Sequence, residues 1–568
     1  MDSRNRIVQS LIRRKELISV IFLILIYFIH RFISYNLGLY MEECRDAEAH
    51  LMVLKGQLPY TDPMSWFYGP FAFCVYPLIF KIFGVNLVVF RLSYVIIASF
   101  VIPCVYYLAR RLMPSMWAGL AAFLATLLID VPYYTYNHIL ATIAGLLALL
   151  FIVRFIEHFD NIRNLFFAGI FVGITLLVKP FFMGFGILFS IILFILFLKF
   201  KKVAFIKIKL IHVIMLFFGL LTILTPFLLY FAIHRNLYKF LMHIMPIGLN
   251  RASGFYAYSA TFTSLREHWD LLKTSIPYKI LFSPSQWRVM FVQSYDSLIL
   301  FSPIIFPLSI VLLNKFIFYK YCLISKNASI YFLLFVIFSL FISSQTLFCH
   351  QQMGRSFTMQ IPFLLITYFL FLINNKKIYG RRIGFRYAVS FLTFLFIFYL
   401  SFLHFFRYPY SRNKKYIVPL VVERAKGIKV TYPEKELYEA LDRFLSKNSK
   451  TDEVIGILGN CPTLSFISQR QNIFDGETIS LKLSYLSKMA KSSLIYQERL
   501  KELEDYLINK LELKKPKFIL EPIIFSNEYP RTRLNKYIDK VYVLDKTLGP
   551  AELDIYTPGI VKIYRLKE

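Results

Sequence analysis

Runs of roughly twenty uncharged, mostly apolar residues recur along this chain, and no other feature limits its fold so severely. A hydrocarbon layer about 30 Å thick is crossed by about 20 residues of helix, and within it each backbone amide must be satisfied inside its own segment. Eleven such runs begin near residues 17, 88, 116, 138, 164, 182, 210, 297, 328, 357 and 386. Over 568 residues, 57% are hydrophobic, and the mean hydropathy is +0.56. The expected fold class is therefore a polytopic α-helical membrane protein with about eleven transmembrane helices.

The formal charge of +31 would point to nucleic acid in a soluble protein. Here it sits in short gaps between apolar runs, where it sets topology instead. Basic residues gather at Arg13, Arg14 and Lys15, at Arg110 and Arg111, at Arg154 and Arg163, and at Lys199, Lys201 and Lys202. They return at Lys315 and Lys320 and at Lys376, Lys377, Arg381 and Arg382. Alternate gaps carry them, so the N-terminus is expected in the cytoplasm and the C-terminal portion outside. The basic N-terminus lacks a small-residue cleavage signature and reads as an uncleaved first helix. Six scattered cysteines form no CxxC pattern; Cys44 and Cys74 read as separate apolar fillers, with a pair between them the alternative.

On this topology the unusual polar residues collect on one side. The stretch from Met41 to Pro70 holds Glu42, Glu43, Asp46 and Glu48 within seven residues, beside Arg45 and His50. Asn137 and His138, Lys179-Pro180, and the turn holding His350 and Arg355 fall at outer ends of later spans. Phe71 to Gly84, 14 apolar residues broken by Pro77, is too short to cross and reads as interfacial or re-entrant. Residues 1–410 are expected to form the membrane portion, with outer loops 41–87 and 234–296, and 411–568 a soluble extracytoplasmic α/β domain. Strands are expected at 453–459, 517–525, 540–545 and 559–566, and a charged helix over 483–513. The sequon at Asn327 falls in a cytoplasmic gap and carries no information.

A carboxylate just beyond a membrane span is partly desolvated, which raises its pKa and fits it to take a proton from a hydroxyl or amine. Glu42, Glu43 and Asp46 are the candidate bases, with Arg45 three residues from Glu42 as a partner; a solvated acidic face is the plain alternative. Lys179 ends an uncharged run, and a lysine at that depth wants an anion such as a phosphate headgroup, unless it merely snorkels. Asn137, His138, His350 and Arg355 can hydrogen-bond a sugar or phosphate.

The run E-E-C-R-D-A-E (Glu42–Glu48) resembles the D-E-x-R-Y-A-E that opens the first outer loop of the bacterial aminoarabinose lipid A transferases. G-Q-L-P-Y-T-D-P, which contains Tyr60 and Asp62, followed by Y-G-P, resembles the related protein O-mannosyltransferase-like membrane glycosyltransferases. G-I-F-V-G-I-T-L-L-V-K-P resembles that group's fifth-helix signature. The resemblance implies a GT-C fold and transfer of a sugar from a polyprenyl-phosphate or diphosphate donor to a lipid, glycan or protein acceptor on the outer face of the membrane. It implies a base at Glu42, where this sequence has Glu in place of the usual Asp, so Glu43 or Asp46 can do the work instead. Arg45, Glu48, Tyr60, Asp62, Asn137, His138, Lys179, His350 and Arg355 become the expected substrate-binding residues. Phe67, Tyr68, Gly69 and Pro70 stand where the aminoarabinose enzymes have an acid before a Pro-Pro pair, which speaks against that donor and acceptor. A bacterial inner membrane is the implied location.

No cofactor is expected. A divalent cation on Asp46, Glu48 and His50 is the alternative, although that spacing does not put all three on one helical face. The rival readings are a transporter or lipid flippase, and a non-catalytic scaffold. Span interiors nearly free of charge and the lack of a repeat weigh against a transporter.

Overall fold

The computed structural model describes residues 3–32, 35–39, 41–59, 69–111, 113–129, 136–179, 184–200, 209–244, 334, 418–458, 462–473, 494–523, 533–549 and 560–567. Apart from Leu334, the apolar runs expected from 297, 328, 357 and 386 lie outside these residues, as does most of the loop 234–296.

Each of the first seven apolar runs is helical. They form α1 (Ser3–Phe32), α4 (Leu87–Ser99) with α5 (Val101–Ala109), α6 (Ser115–Ile129), α7 (Tyr136–Glu157), α8 (Arg163–Val178), α9 (Phe185–Phe200) and α10 (Leu210–Ile233). The stretch Leu87–Ala109, Tyr136–Glu157 and Leu210–Ile233 are long and apolar enough to cross a membrane. Between the first two runs lie α2 (Met41–Leu54) and α3 (Ala72–Phe83), and α11 (Leu237–Ile244) follows α10. At 12 residues with Pro77 inside it, α3 is as short as the sequence implies.

The described elements divide into two compact units, parted within α4 after Tyr94. One contains α1, the segment around Gly69, α5 and the helices up to α11. Its α7 and α8 pack as a hairpin, with Phe151 ring centroids 5.3 Å from Phe167 and 5.6 Å from Phe171. Glycines bring α8 against α10. A Cβ on Gly169 would overlap the Leu216 carbonyl, and one on Gly219 the Phe166 carbonyl. The G-x-x-x-G spacing of Gly169 and Gly173 thus lets two backbones approach where lipid supplies no hydrophobic drive. At the opposite end of the hairpin from Lys179, Arg110 binds Glu16 and Arg111 binds Glu157, each at 2.7 Å.

The other unit contains α2, α3, the start of α4 and the carboxy-terminal elements. A sheet in the order β4-β3-β5-β7-β6 is built from β3 (Val454–Ile457), β4 (Gln471–Asn472), β5 (Phe518–Ile523), β6 (Tyr542–Leu548) and β7 (Ile560–Leu566). β3 is parallel to both β4 and β5, whereas β7 is antiparallel to β5 and β6. Around it lie α12 (Tyr432–Asn448), α13 (Pro462–Ser468), α14 (Leu494–Lys514) and α15 (Arg533–Val541). A reciprocal Thr431–Glu434 capping box starts α12. The apolar core includes Leu507, Leu511, Ile519, Leu534 and Ile538.

The short antiparallel pair β1 (Val418–Pro419) and β2 (Lys429–Val430) is sewn to the segment before α2. Gly38 N–H donates to the Lys429 carbonyl at 2.7 Å, and Lys429 N–H donates to that of Asn36 at 2.6 Å. The acidic helix is therefore in one compact unit with residues some 400 positions further along the chain.

Candidate active site

The acidic run Glu42–Glu48 lies within α2, which presents its polar residues at 100° intervals. Glu42 stands in its first turn, one turn before Asp46; the Glu42 side chain lies outside the described residues. Glu43 is fully buried and accepts two hydrogen bonds from Arg91, 2.7 Å from Nε and 2.6 Å from Nη2. Arg91 also donates to the carbonyls of Gly38 at 2.6 Å and Tyr35 at 3.0 Å. A bidentate guanidinium–carboxylate pair this deep, its remaining N–H groups spent on carbonyls, is a structural clamp between α2 and α4.

Arg45 donates Nε and Nη2 to one oxygen of Asp46, at 3.0 and 2.9 Å. Both residues are buried. His50 is enclosed by Phe73, Tyr76 and Phe90, with ring centroids 5.4, 4.8 and 5.8 Å away. Burial drives its pKa down to about 3, so it is neutral. Neither of its ring nitrogens has a hydrogen-bond partner among the described residues. Cys44 is buried and Cys74 exposed, and no disulfide joins them to each other.

Glu48 points to the carboxy-terminal elements. It accepts a hydrogen bond from the Ser465 hydroxyl on α13. Burial lifts its pKa from an ordinary 4.5 to about 7, against the opposing pulls of Ser465, Arg424 and Lys55. No three His, Cys, Asp or Glu side chains converge as a metal-binding group among the described residues.

The other unit holds Asn137, His138 and Lys179. Asn137 and His138 lie buried in the first turn of α7, and Lys179, only 1% exposed, follows the last turn of α8. In an antiparallel hairpin these are the same end. The orphan carbonyls that close a helix are met here by the chain around Gly69. Gly69 N–H donates to the Val178 carbonyl at 3.0 Å, and Phe71 N–H to the Leu177 carbonyl at 3.1 Å. A Cβ on Gly69 would overlap the Leu177 carbonyl. The Y-G-P and L-V-K-P motifs, more than 100 residues apart in the chain, are therefore one backbone-to-backbone junction beside Lys179.

Tyr60, Asp62, His350 and Arg355 lie outside the described residues. Three residues were not singled out in the sequence. Arg91 had a legible signal, a lone charge in the apolar run L-V-V-F-R-L-S-Y-V. Ser465 and Arg424 had none, since nothing local marks a hydroxyl or an arginine that meets a helix 400 residues earlier.

The fold of this chain is similar to that of solved membrane glycosyltransferases of the GT-C type. The oligosaccharyltransferase of Archaeoglobus fulgidus, in its complex with zinc and sulfate, matches with a TM-score of 0.53 at 15% identity, covering 94% of this chain and 73% of that one. Its apo form gives a TM-score of 0.52 at 13% identity, covering 89% and 69%. ArnT from Cupriavidus metallidurans bound to undecaprenyl phosphate gives a TM-score of 0.45 at 12% identity, covering 96% and 97%.

At the level of sequence, residues 68–243 match the family model for dolichyl-phosphate-mannose-protein mannosyltransferase. The matched segment begins at the Y-G-P motif and takes in Lys179. Curated protein sequences give no match.

Proposed function

We propose that this chain is a membrane glycosyltransferase that moves a sugar from a polyprenyl-phosphate or diphosphate donor to a lipid, glycan or protein acceptor on the outer face of a bacterial inner membrane. The reading takes the protein as crossing about eleven times, with a cytoplasmic N-terminus and its carboxy-terminal α/β elements outside. The observation that carries it is the junction of Gly69 with the end of α8, which joins two of the group's motifs beside a buried lysine. The match over residues 68–243 to a dolichyl-phosphate-mannose-protein mannosyltransferase family model supports a lipid-phosphate donor. So does the dolichol-phosphate in a complex of the Archaeoglobus oligosaccharyltransferase, a protein of the same fold.

In this reading the acceptor hydroxyl loses its proton to Glu42 or Asp46 as its oxygen attacks the anomeric carbon. The bond from that carbon to the donor's phosphate oxygen breaks, and the lipid phosphate leaves with the electron pair. Lys179 stabilises the departing anion, aided by Arg355. Glu43 is assigned to holding α2, because its carboxylate is taken up by Arg91. No organic cofactor takes part, and a single displacement inverts the anomeric configuration.

The test is release of polyprenyl phosphate and appearance of glycosylated acceptor when the full chain, in nanodiscs, meets a panel of polyprenyl-phosphate sugars. Glu42→Gln, Asp46→Asn and Lys179→Ala should each lower turnover by about a hundredfold, the usual worth of a positioned proton acceptor or charge. A wild-type protein that leaves every donor and acceptor intact would overturn the proposal.

A further inference from the structure

The contacts around α2 close into a ring. Asn86 caps α4, its Oδ1 accepting from Val88 N–H at 2.7 Å, while its Nδ2 donates to the Glu423 carbonyl at 2.8 Å. The next residue, Arg424, donates to the carbonyls of Phe466 at 2.9 Å and Gln469 at 3.3 Å, where α13 ends. Its guanidinium lies 5.6 Å from the centre of the Phe466 ring. Gln469 has a φ of 60°, so the chain leaves α13 through a left-handed residue that is not glycine. From α13, Ser465 donates to Glu48 on α2, and Glu43 on the same helix returns to α4 through Arg91.

Glu43 and Glu48 are five residues apart, which places them about 140° apart around the helix and about 7.5 Å apart along it. Two attachments so placed fix both the rotation and the height of α2. That is what presenting a carboxylate to a reacting atom demands, since a misplacement of about 1 Å costs about a hundredfold in rate.

We infer that Ser465 and Arg424 are positioning residues that act through Glu48, so that the carboxy-terminal elements set how α2 presents Glu42 and Asp46. The catalytic part of this inference rests on the sugar-transfer reading above, while the positioning itself rests on the ring of contacts. Ser465 is 1% exposed, and its hydroxyl reaches Glu48 from within a packed helix. Arg424 fixes the far end of that helix, and its own charge faces Glu48 as well. Glu48, expected from its motif to bind substrate, becomes the handle by which α2 is held.

The experiment uses the full chain in nanodiscs and reads amide hydrogen exchange across α2, in parallel with transfer from polyprenyl-phosphate mannose. Ser465→Ala and Glu48→Gln should each raise exchange in the second half of α2 by about tenfold, the worth of one hydrogen bond to an ionisable group. The double variant should exceed neither single one, and Ser465→Thr, which keeps the hydroxyl, should restore protection. Arg424→Lys, which keeps the charge and loses the paired carbonyl contacts, should give a smaller rise. In the transfer assay kcat should fall along the same series while the KM for donor stays fixed.

A wild type that transfers no mannose while α2 exchange follows the predicted series leaves the positioning intact and counts against the sugar-transfer reading for this donor. Exchange across α2 that is unchanged in Ser465→Ala and Glu48→Gln, or effects that simply add in the double variant, overturns the positioning, whether or not sugar is transferred.

Discussion

The two motif-bearing regions are held by opposite means. The acidic helix α2 is fixed by charge and hydroxyl: a buried bidentate ion pair at Glu43 and a serine at Glu48. The end of α8 beside Lys179 is fixed by the absence of a side chain, with Gly69 laid on the Leu177 and Val178 carbonyls, and earlier in the same helix Gly169 lies against the Leu216 carbonyl. Ion pairs are directional and sensitive to charge, whereas glycine contacts are sensitive to volume alone. The same substitution strategy should therefore break one region and spare the other.

The largest effect expected is at the clamp. Arg91→Met leaves Glu43 buried without its partner and should cost about 3–5 kcal/mol of stability, whereas joint replacement by Arg91→Met and Glu43→Leu should recover most of it. Thermal unfolding in nanodiscs checks this; equal losses in the single and double variants would show that the pair is not a clamp. Next is volume. Gly169→Val drives a branched side chain into the α10 backbone and should cost about 1–3 kcal/mol by the same measurement. Gly69→Ala should lower turnover with little loss of global stability, because it displaces the local junction next to Lys179. Its signature is a raised KM for donor, and an unchanged KM would detach Gly69 from the donor site.

The smallest effect is electrostatic and sharpens the contrast. Glu48 titrates near 7 in the folded chain against an ordinary 4.5. A carboxyl with a raised folded pKa binds more protons folded than unfolded, so its contribution is most favourable below about 4.5 and declines as pH climbs to about 7. Glu48→Gln should flatten stability across that window, and Gly169→Val should leave its slope untouched. Burial sets the size of that slope, and Ser465, Arg424 and Lys55, which face the carboxyl, reduce it.

What could be read from the sequence follows the range of the interactions. Apolar runs report on a solvent, so the helices beginning near 17, 88, 116, 138, 164, 182 and 210 were legible. The four longer strands were legible as well, because alternation and β-branching are local. The boundary expected between residues 410 and 411 gave no hint that α2, α3 and the start of α4 pack in one unit with the elements beyond it. Pairings such as Glu48 with Ser465 join residues 417 positions apart and leave no periodic trace. The Y-G-P motif was visible as a resemblance, but its task, a glycine laid against a helix end, is visible only in space.

Sugar transfer at α2 is decided by a single turnover of a polyprenyl-phosphate sugar by the full chain in nanodiscs, with wild type, Glu42→Gln and the paired Arg91→Met/Glu43→Leu variant side by side. The account predicts cleavage of the donor by wild type, slower but retained cleavage in the paired variant, and cleavage lowered about a hundredfold in Glu42→Gln. Donor that crosses the bilayer uncleaved in all three proteins, or cleavage that survives Glu42→Gln and Asp46→Asn together, would contradict it.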